Sequence, residues 1–293
     1  MEIGPFPVGA QVTYQVQAVD SDGNTVTQPL TAKSFTAIES FNKGSDILLV
    51  LDNYGYTTSL YRPYFANALD ALGYAYDVWD TELRGKAYTD TLGLYSSGIV
   101  IWAMLGMRGY LQDYDMRSAV QAYLDTGGSL FVTGQDVARW MDRTTLLHDY
   151  LHASLVQDGR HLYALHGALG DPIGDELTLV IAGGDGADNQ SSPDEIDPLA
   201  PAVTVFTYDG SATIALADPG KVTLPGPQRG RREVGAGSVS SSQEESDGRP
   251  RLNGAADARI GMAGVISSGT AGLRVDTGTY KVIYFAFGFG AVS

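Results

Sequence analysis

The sequence predicts an α/β fold built on a parallel sheet with flanking helices and preceded by a short N-terminal β-hairpin, and three observations carry that reading. From Asp46 onward, short continuous apolar runs alternate with segments of helical spacing. Such runs are what strands buried on both faces require, and their alternation with helices implies right-handed βαβ crossovers. The stretch Gly127-Gly128-Ser129-Leu130-Phe131-Val132-Thr133-Gly134-Gln135-Asp136-Val137-Ala138 reads as a buried strand, a glycine turn and the start of a helix. That is the junction at which α/β enzymes hold a nucleophile above the carboxyl edge of the sheet. Finally, 293 residues of which 44% are hydrophobic suffice to fill the core of one large α/β domain plus a smaller piece.

Each element follows from its residues. Gln11 to Val19 and Thr25 to Ala32 alternate polar and apolar side chains, and Asp20-Ser21-Asp22-Gly23-Asn24 between them has the chemistry of a hairpin turn. Ile47 to Leu51 is a strand ending in Asp52-Asn53-Tyr54-Gly55, and Tyr61 to Leu72 a helix stopped at Gly73. Tyr74 to Trp79 is a strand ending in Asp80-Thr81; Gly98 to Met104 is the next strand, Asp113 to Thr126 a helix closed by Gly127-Gly128, and Ser129 to Thr133 the elbow strand. A strand near Thr213 to Ala217 and a closing strand from Tyr280 to Phe285 flank a disordered insertion at 225–259. The insertion is rich in Gly, Ser, Pro and mixed charge and buries too little to order itself; its Arg229, Arg231, Arg232, Arg249, Arg251 and Arg259 are read by default as solvated, the alternative being contact with an acidic partner or the protein's own acidic surface. Ligands of parallel sheets sit beyond the carboxyl ends of the strands. The loops expected there are Asp52-Asn53-Tyr54, Asp80-Thr81-Glu82, Met104-Leu105-Gly106 and Gly134-Gln135-Asp136.

A net charge of −15 and a pI near 4.5 argue against nucleic acid and anionic membranes as partners and suit solubility or cation binding. The chain has no cysteine, hence neither disulfide nor thiol nucleophile, a usage compatible with an exported protein. No apolar run approaches the roughly 18 residues of a membrane span, and the N-terminus lacks a signal pattern. Either the protein is cytosolic or the sequence is a fragment of a longer precursor, and its beginning favours the fragment; the expectation is an extracellular or cell-surface fragment without its signal peptide.

The series "ILLVLDNYG", "ALDALGYAYDVWD", "GIVIWAMLG", "YLDTGGSLFVTGQDVA", "DYLHASLVQD", "GGDGADNQ" and "YKVIYFAFGFGAV" resembles the class I glutamine amidotransferase-like superfamily. More narrowly, it is similar to modules appended to secreted bacterial proteins, often peptidases. The likeness spans Ser45 to Asp218 and Gly264 to Val292. It implies a three-layer, flavodoxin-like domain over residues 41–293, and residues 13–24 resemble the last strand pair of a fibronectin type III or immunoglobulin-like module, partial over residues 1–40. The alternative for that hairpin is an extension of the main domain. Active members of the superfamily place a cysteine at the elbow, with a histidine and an acid downstream; here Gln135 and Asp136 stand there, and glutamine is no nucleophile. The resulting expectation is a non-catalytic accessory module whose partners are other domains of a parent secreted protein or a polymeric substrate. The alternative is a hydrolase with Asp136 and His152 as acid and base and Gln135, or nearby amides, stabilising an oxyanion.

Four further clusters carry candidate chemistry. Asp185, Asp188 and Asn189 lie on a glycine-rich loop whose oxygens suit calcium, although a tight turn capped by Asp and Asn explains the same residues and is the preferred reading. Asp194, Glu195 and Asp197 add negative potential nearby and read as a solvated loop. All four histidines fall between His148 and His166; His148 and His152 at i, i+4 are half of a zinc site, with Asp149 or Asp158 as an oxygen ligand, but the glutamate of H-E-x-x-H is absent and the preferred reading has His152 packed under the sheet edge with a hydrogen-bonded nitrogen and His148 exposed. Tyr54, Tyr56, Tyr61 and Tyr64 crowd behind the first strand of the α/β region, either as a stacking surface for carbohydrate or peptide or as packing.

Overall fold

The computed structural model describes residues 6–53, 60–106, 108–210 and 269–293. The expected strand at Thr213 to Ala217, the insertion at 225–259, Tyr54 and Tyr56 lie outside them. Strands β1 (Gln11–Val19) and β2 (Thr25–Thr36) pair antiparallel as a separate two-stranded sheet. Asp20 organises the turn between them, its carboxylate accepting the amides of Asp22 (2.9 Å) and Asn24 (2.8 Å).

The main sheet begins with β3 (Ile47–Asp52), then α1 (Arg62–Ala71), β4 (Asp77–Asp80), α2 (Thr81–Arg84), α3 (Thr89–Gly93), β5 (Ile99–Met104), α4 (Tyr114–Asp125), β6 (Ser129–Thr133) and α5 (Val137–Met141). Six strands follow: β7 (Ala153–Gln157), β8 (Ala164–Gly167), β9 (Thr178–Val180), β10 (Glu195–Pro198), β11 (Val203–Tyr208) and β12 (Thr270–Asp276). The last is β13 (Lys281–Phe285). The spatial order is β4-β3-β5-β6-β13-β12-β11-β8-β9, with β10 joining β12 to β7. From β4 to β13 every pairing is parallel, and those five strands, numbered along the chain, lie in the order 2-1-3-4-5. This is the flavodoxin-like doubly wound arrangement, with its switch point between β3 and β5. Beyond β13 all pairings are antiparallel, which makes the whole an 11-stranded mixed sheet.

The period of two along the central strands sorts their side chains to opposite faces. Leu48, Val50, Val100, Trp102, Leu130, Val132, Val282 and Tyr284 pack with Leu92 of α3, Met116, Val120 and Leu124 of α4, and Val137 of α5. On the other face, Leu49, Leu51 and Ala103 meet Phe65 of α1, while Phe206, Phe285 and Phe287 form a second aromatic core. Helices thus cover both faces, giving three layers as the resemblance implies.

The turn from α4 into β6 depends on close approach. Gly127 adopts φ 96°, and the amide of Gly128 returns to the Tyr123 carbonyl at 3.2 Å. The Tyr123 hydroxyl then accepts the Ser129 amide (2.9 Å) and donates to the Ser129 carbonyl (2.8 Å), so the ring lies flat against Gly128. A Cβ at Gly128 would stand 2.3 Å from the Tyr123 ring. Gly128→Ala is therefore expected to destabilise the chain by about 1–3 kcal/mol through overpacking, measured as a lower midpoint in urea unfolding with an unchanged m-value.

Candidate functional site

Four segments meet at the carboxyl edge around the β6–α5 elbow. The Thr133 hydroxyl donates to the Phe287 carbonyl (2.6 Å) and accepts the Phe289 amide (2.8 Å), locking the ends of β6 and β13 together. Gly134 leaves no room for a side chain, since a Cβ would stand 2.8 Å from the Met104 carbonyl oxygen at the end of β5. Gln135, 6% exposed, accepts the amides of Ser191 (2.7 Å) and Ser192 (3.0 Å) at Oε1 and donates from Nε2 to the Asn189 carbonyl (3.3 Å). Both ends of its amide are committed to the 189–192 loop, so the position expected to face a substrate is a clamp.

Asp136 and Asp194 are fully buried beside each other. The Asp136 side chain does not cap α5. Asp194 does so from across the fold, Oδ2 accepting the Arg139 amide at 3.0 Å. The Asp194 amide donates to the carbonyls of Gln135 and Ala286, both at 3.1 Å, and its carbonyl accepts the Tyr208 hydroxyl at 2.8 Å. Asp136 Oδ1 accepts the Ser192 hydroxyl (3.2 Å) and lies 3.5 Å from the Arg139 guanidinium. The same guanidinium reaches Asp158, at the end of β7, at 3.2 Å. Asp136, Asp158 and Asp194 each offer an oxygen within 4.8 Å of the other two, the arrangement able to hold a metal ion among the described residues. Asp136 Oδ2 and Asp194 Oδ1 have no hydrogen-bond partner.

Burial dominates the electrostatics. Removal from water pushes the Asp136 carboxyl up to about 6, against the pull of the Ser192 hydroxyl and the Arg139 charge. It pushes Asp194 up to about 8; the Arg139 amide opposes the rise and the neighbouring Asp136 and Asp158 charges add to it. At the switch point, burial raises Asp52 to about 6 although its carboxylate accepts Trp102 Nε1 (2.8 Å) and the amides of Tyr110 (2.8 Å) and Leu111 (3.3 Å). The adjoining cleft, walled by Tyr61, Phe65, Met104 and Leu105, has room for about one water molecule. Gln190 fills its rim, Oε1 accepting the Gly288 amide (2.7 Å) and Nε2 donating to Asn189 Oδ1 (2.9 Å).

The remaining candidates are dispersed. His152 stands past the end of a wide turn, Leu146–Tyr150, at φ 50°, with Nε2 3.1 Å from the Tyr280 hydroxyl. Tyr280 precedes β13 at the amino edge of the sheet, whereas Asp136 follows β6 at the carboxyl edge. The five residues of β7, rising ~3.3 Å each, separate the two levels. The structure therefore does not bring His152 to Asp136. Nor do His148 and His152 share a helical face, because the Leu151 amide bonds back to Leu146 and the chain leaves the helix there. The Asp149 carbonyl accepts the Tyr280 hydroxyl, and Asp158 lies at the far end of β7. In the glycine-rich loop, Asp188 closes its own turn by accepting the Gly183 amide (2.8 Å), Asn189 is held by Gln135 and Gln190, and Asp185 is exposed. Asp194, read from sequence as solvated, is instead the most deeply committed acid of the site. No local pattern marks it, because its partners Arg139, Gln135 and Ala286 are all remote in the chain.

A measurable pH dependence follows. An unfolded aspartate titrates near 4, so between that pH and the native values near 6 and 8 the folded chain holds protons that the unfolded chain has released. The stability due to these protonated acids is fully present below about pH 4 and gone above about pH 8. Urea unfolding in the presence of chelator should show stability falling from pH 5 to pH 8, with each group contributing at most about 1.4 kcal/mol per pH unit. Asp194→Asn fixes the neutral form and should flatten the upper part of that slope.

No family model matches the chain, and no curated protein matches it. Among solved structures, a ThuA-like protein from Bacteroides uniformis is similar at 12% identity and a TM-score of 0.37, over 58% of this chain and 71% of that one. ThuA-like proteins have a class I glutamine amidotransferase-like fold. At that distance the likeness says nothing about activity, and the 2-1-3-4-5 strand order carries the fold class.

Proposed function

We propose that this chain is a non-catalytic accessory module of a larger secreted bacterial protein, engaging another domain of its parent or a polymeric substrate. The observation that carries this reading is the use of the elbow side chain: Gln135 has both ends of its amide bonded to the 189–192 loop. A catalytic elbow presents its side chain to a reactant. Asp136 and Asp194 have pKa values in the range useful to acid catalysis, yet both are wholly shielded from solvent, and the neighbouring cleft, with Gln190 at its rim, has room for only about one water molecule.

The hairpin supports the modular half of the proposal. β1 and β2 leave apolar side chains exposed, with Val16 at 62% and Leu30 at 84%. A two-stranded ribbon of this kind is marginal in water without a surface to pack on. On the proposed reading its partner is further β-structure of the parent protein, in keeping with its resemblance to the end of an immunoglobulin-like sandwich.

The test is an activity panel on the purified chain with p-nitrophenyl acetate, glutamine and a chromogenic peptide. No turnover above buffer is expected for the wild type or for Asp136→Asn. Gln135→Ala should lower the melting temperature, because it removes the hydrogen bonds to the Ser191 and Ser192 amides, each worth about 0.5–1.5 kcal/mol. Turnover by the wild type that disappears in a folded Asp136→Asn chain would overturn the proposal in favour of a hydrolase.

A further inference from the structure

We propose that Asp136, Asp158 and Asp194 together bind one hard divalent cation, of the calcium or magnesium kind, where β6 turns into α5. The three carboxylates come from separate parts of the chain and bring oxygens within 4.8 Å of one another. Metal–oxygen distances of about 2.1 Å for magnesium or 2.4 Å for calcium place opposed ligand oxygens about 4–5 Å apart, so one ion fits the group.

A cluster of acids alone would not argue for a ligand; the unused oxygens do. Asp136 and Asp194 are fully buried, and Asp136 Oδ2 and Asp194 Oδ1 meet no donor. The guanidinium of Arg139 touches Asp136 at Oδ1 and Asp158 at Oδ2, while its amide takes Asp194 Oδ2. The nearest cation of the protein thus leaves one oxygen on each buried acid without a partner, a state that charged groups out of water do not tolerate. Charge is compatible with this: once the protons held by the buried acids are released, three carboxylates against one guanidinium leave two negative charges, which a divalent ion neutralises in the protons' place.

The donor chemistry selects the class of ion. All the converging groups are oxygens, and the Ser192 hydroxyl, already on Asp136, adds another. Neither thiolate nor imidazole is present at the site, which favours calcium or magnesium over zinc or copper. Asp158, with its side chain 38% exposed, is the point of entry, where waters complete the coordination. The inference does not rest on the accessory-module reading, since an enzyme or a binding module could hold the same ion.

The test titrates the full chain, stripped with EDTA and dialysed, with CaCl2 and separately with MgCl2, read by calorimetry and by melting temperature. One ion per chain is expected, with a raised melting temperature; the arm that binds identifies the ion. Asp158→Asn, at a half-exposed position that does not threaten folding, should weaken binding by about tenfold or more, and Asp194→Asn likewise. Asp188→Asn, in the glycine-rich loop, should leave the affinity unchanged. Absence of binding by both ions at millimolar concentration would overturn the proposal, as would binding that survives both Asp158→Asn and Asp194→Asn.

Discussion

Asp194 is taken wholly out of water to accept the amide of Arg139, 55 residues earlier in the chain, and the carboxyl edge of the sheet is organised around that bond. The first turn of α5 has amides that need acceptors, and the adjacent Asp136 does not supply one. Asp194 does, and its backbone at the same time joins the Gln135 and Ala286 carbonyls and the Tyr208 hydroxyl. One residue therefore ties the parallel half of the sheet, through β6 and β13, to the antiparallel half, through β10 and β11. The consequence is two acids side by side without water, of which Asp136 faces the Arg139 guanidinium and Asp194 only the Arg139 amide. Such a pair must keep a proton or hold a counter-ion.

The same constraint explains why the elbow is closed. With the 189–194 segment drawn against β6, Gln135 meets the amides of Ser191 and Ser192, and Gln190 turns into the cleft beside Gly288. A loop that in an enzyme would have to leave the turn accessible here covers it. The architecture of a nucleophile elbow is retained while its side chains hold two layers of structure together, which is the physical content of the accessory-module proposal.

The parallel half was legible because its signals are local. Ile47 to Leu51, Ser129 to Thr133 and Tyr280 to Phe285 are apolar runs between turn residues, and each appears as a strand within a residue or so of its expected limits. The antiparallel half was not read as strands, and for β9 and β10 the reason is that they are three and four residues long and include exposed polar residues. Only pairing with neighbours makes them strands. The site divides in the same way. Glycine spacing located the elbow and placed Gln135 and Asp136 on it, but nothing near Asp194 in sequence announces its burial. The i, i+4 spacing of His148 and His152 promised one helical face; the chain instead makes a single wide turn there and leaves it at Leu151, so the two rings part.

The most direct measurement is amide hydrogen exchange at Arg139, compared between the wild type and Asp194→Ala. If Asp194 holds the elbow, this amide exchanges in the wild type only on global unfolding, and the variant loses at least about tenfold protection there and along 189–194 together, with the α4–β6 turn unaffected. Unchanged protection at Arg139 in a folded Asp194→Ala chain would contradict the account, because α5 would then stand without the carboxylate on which the rest of the edge is built.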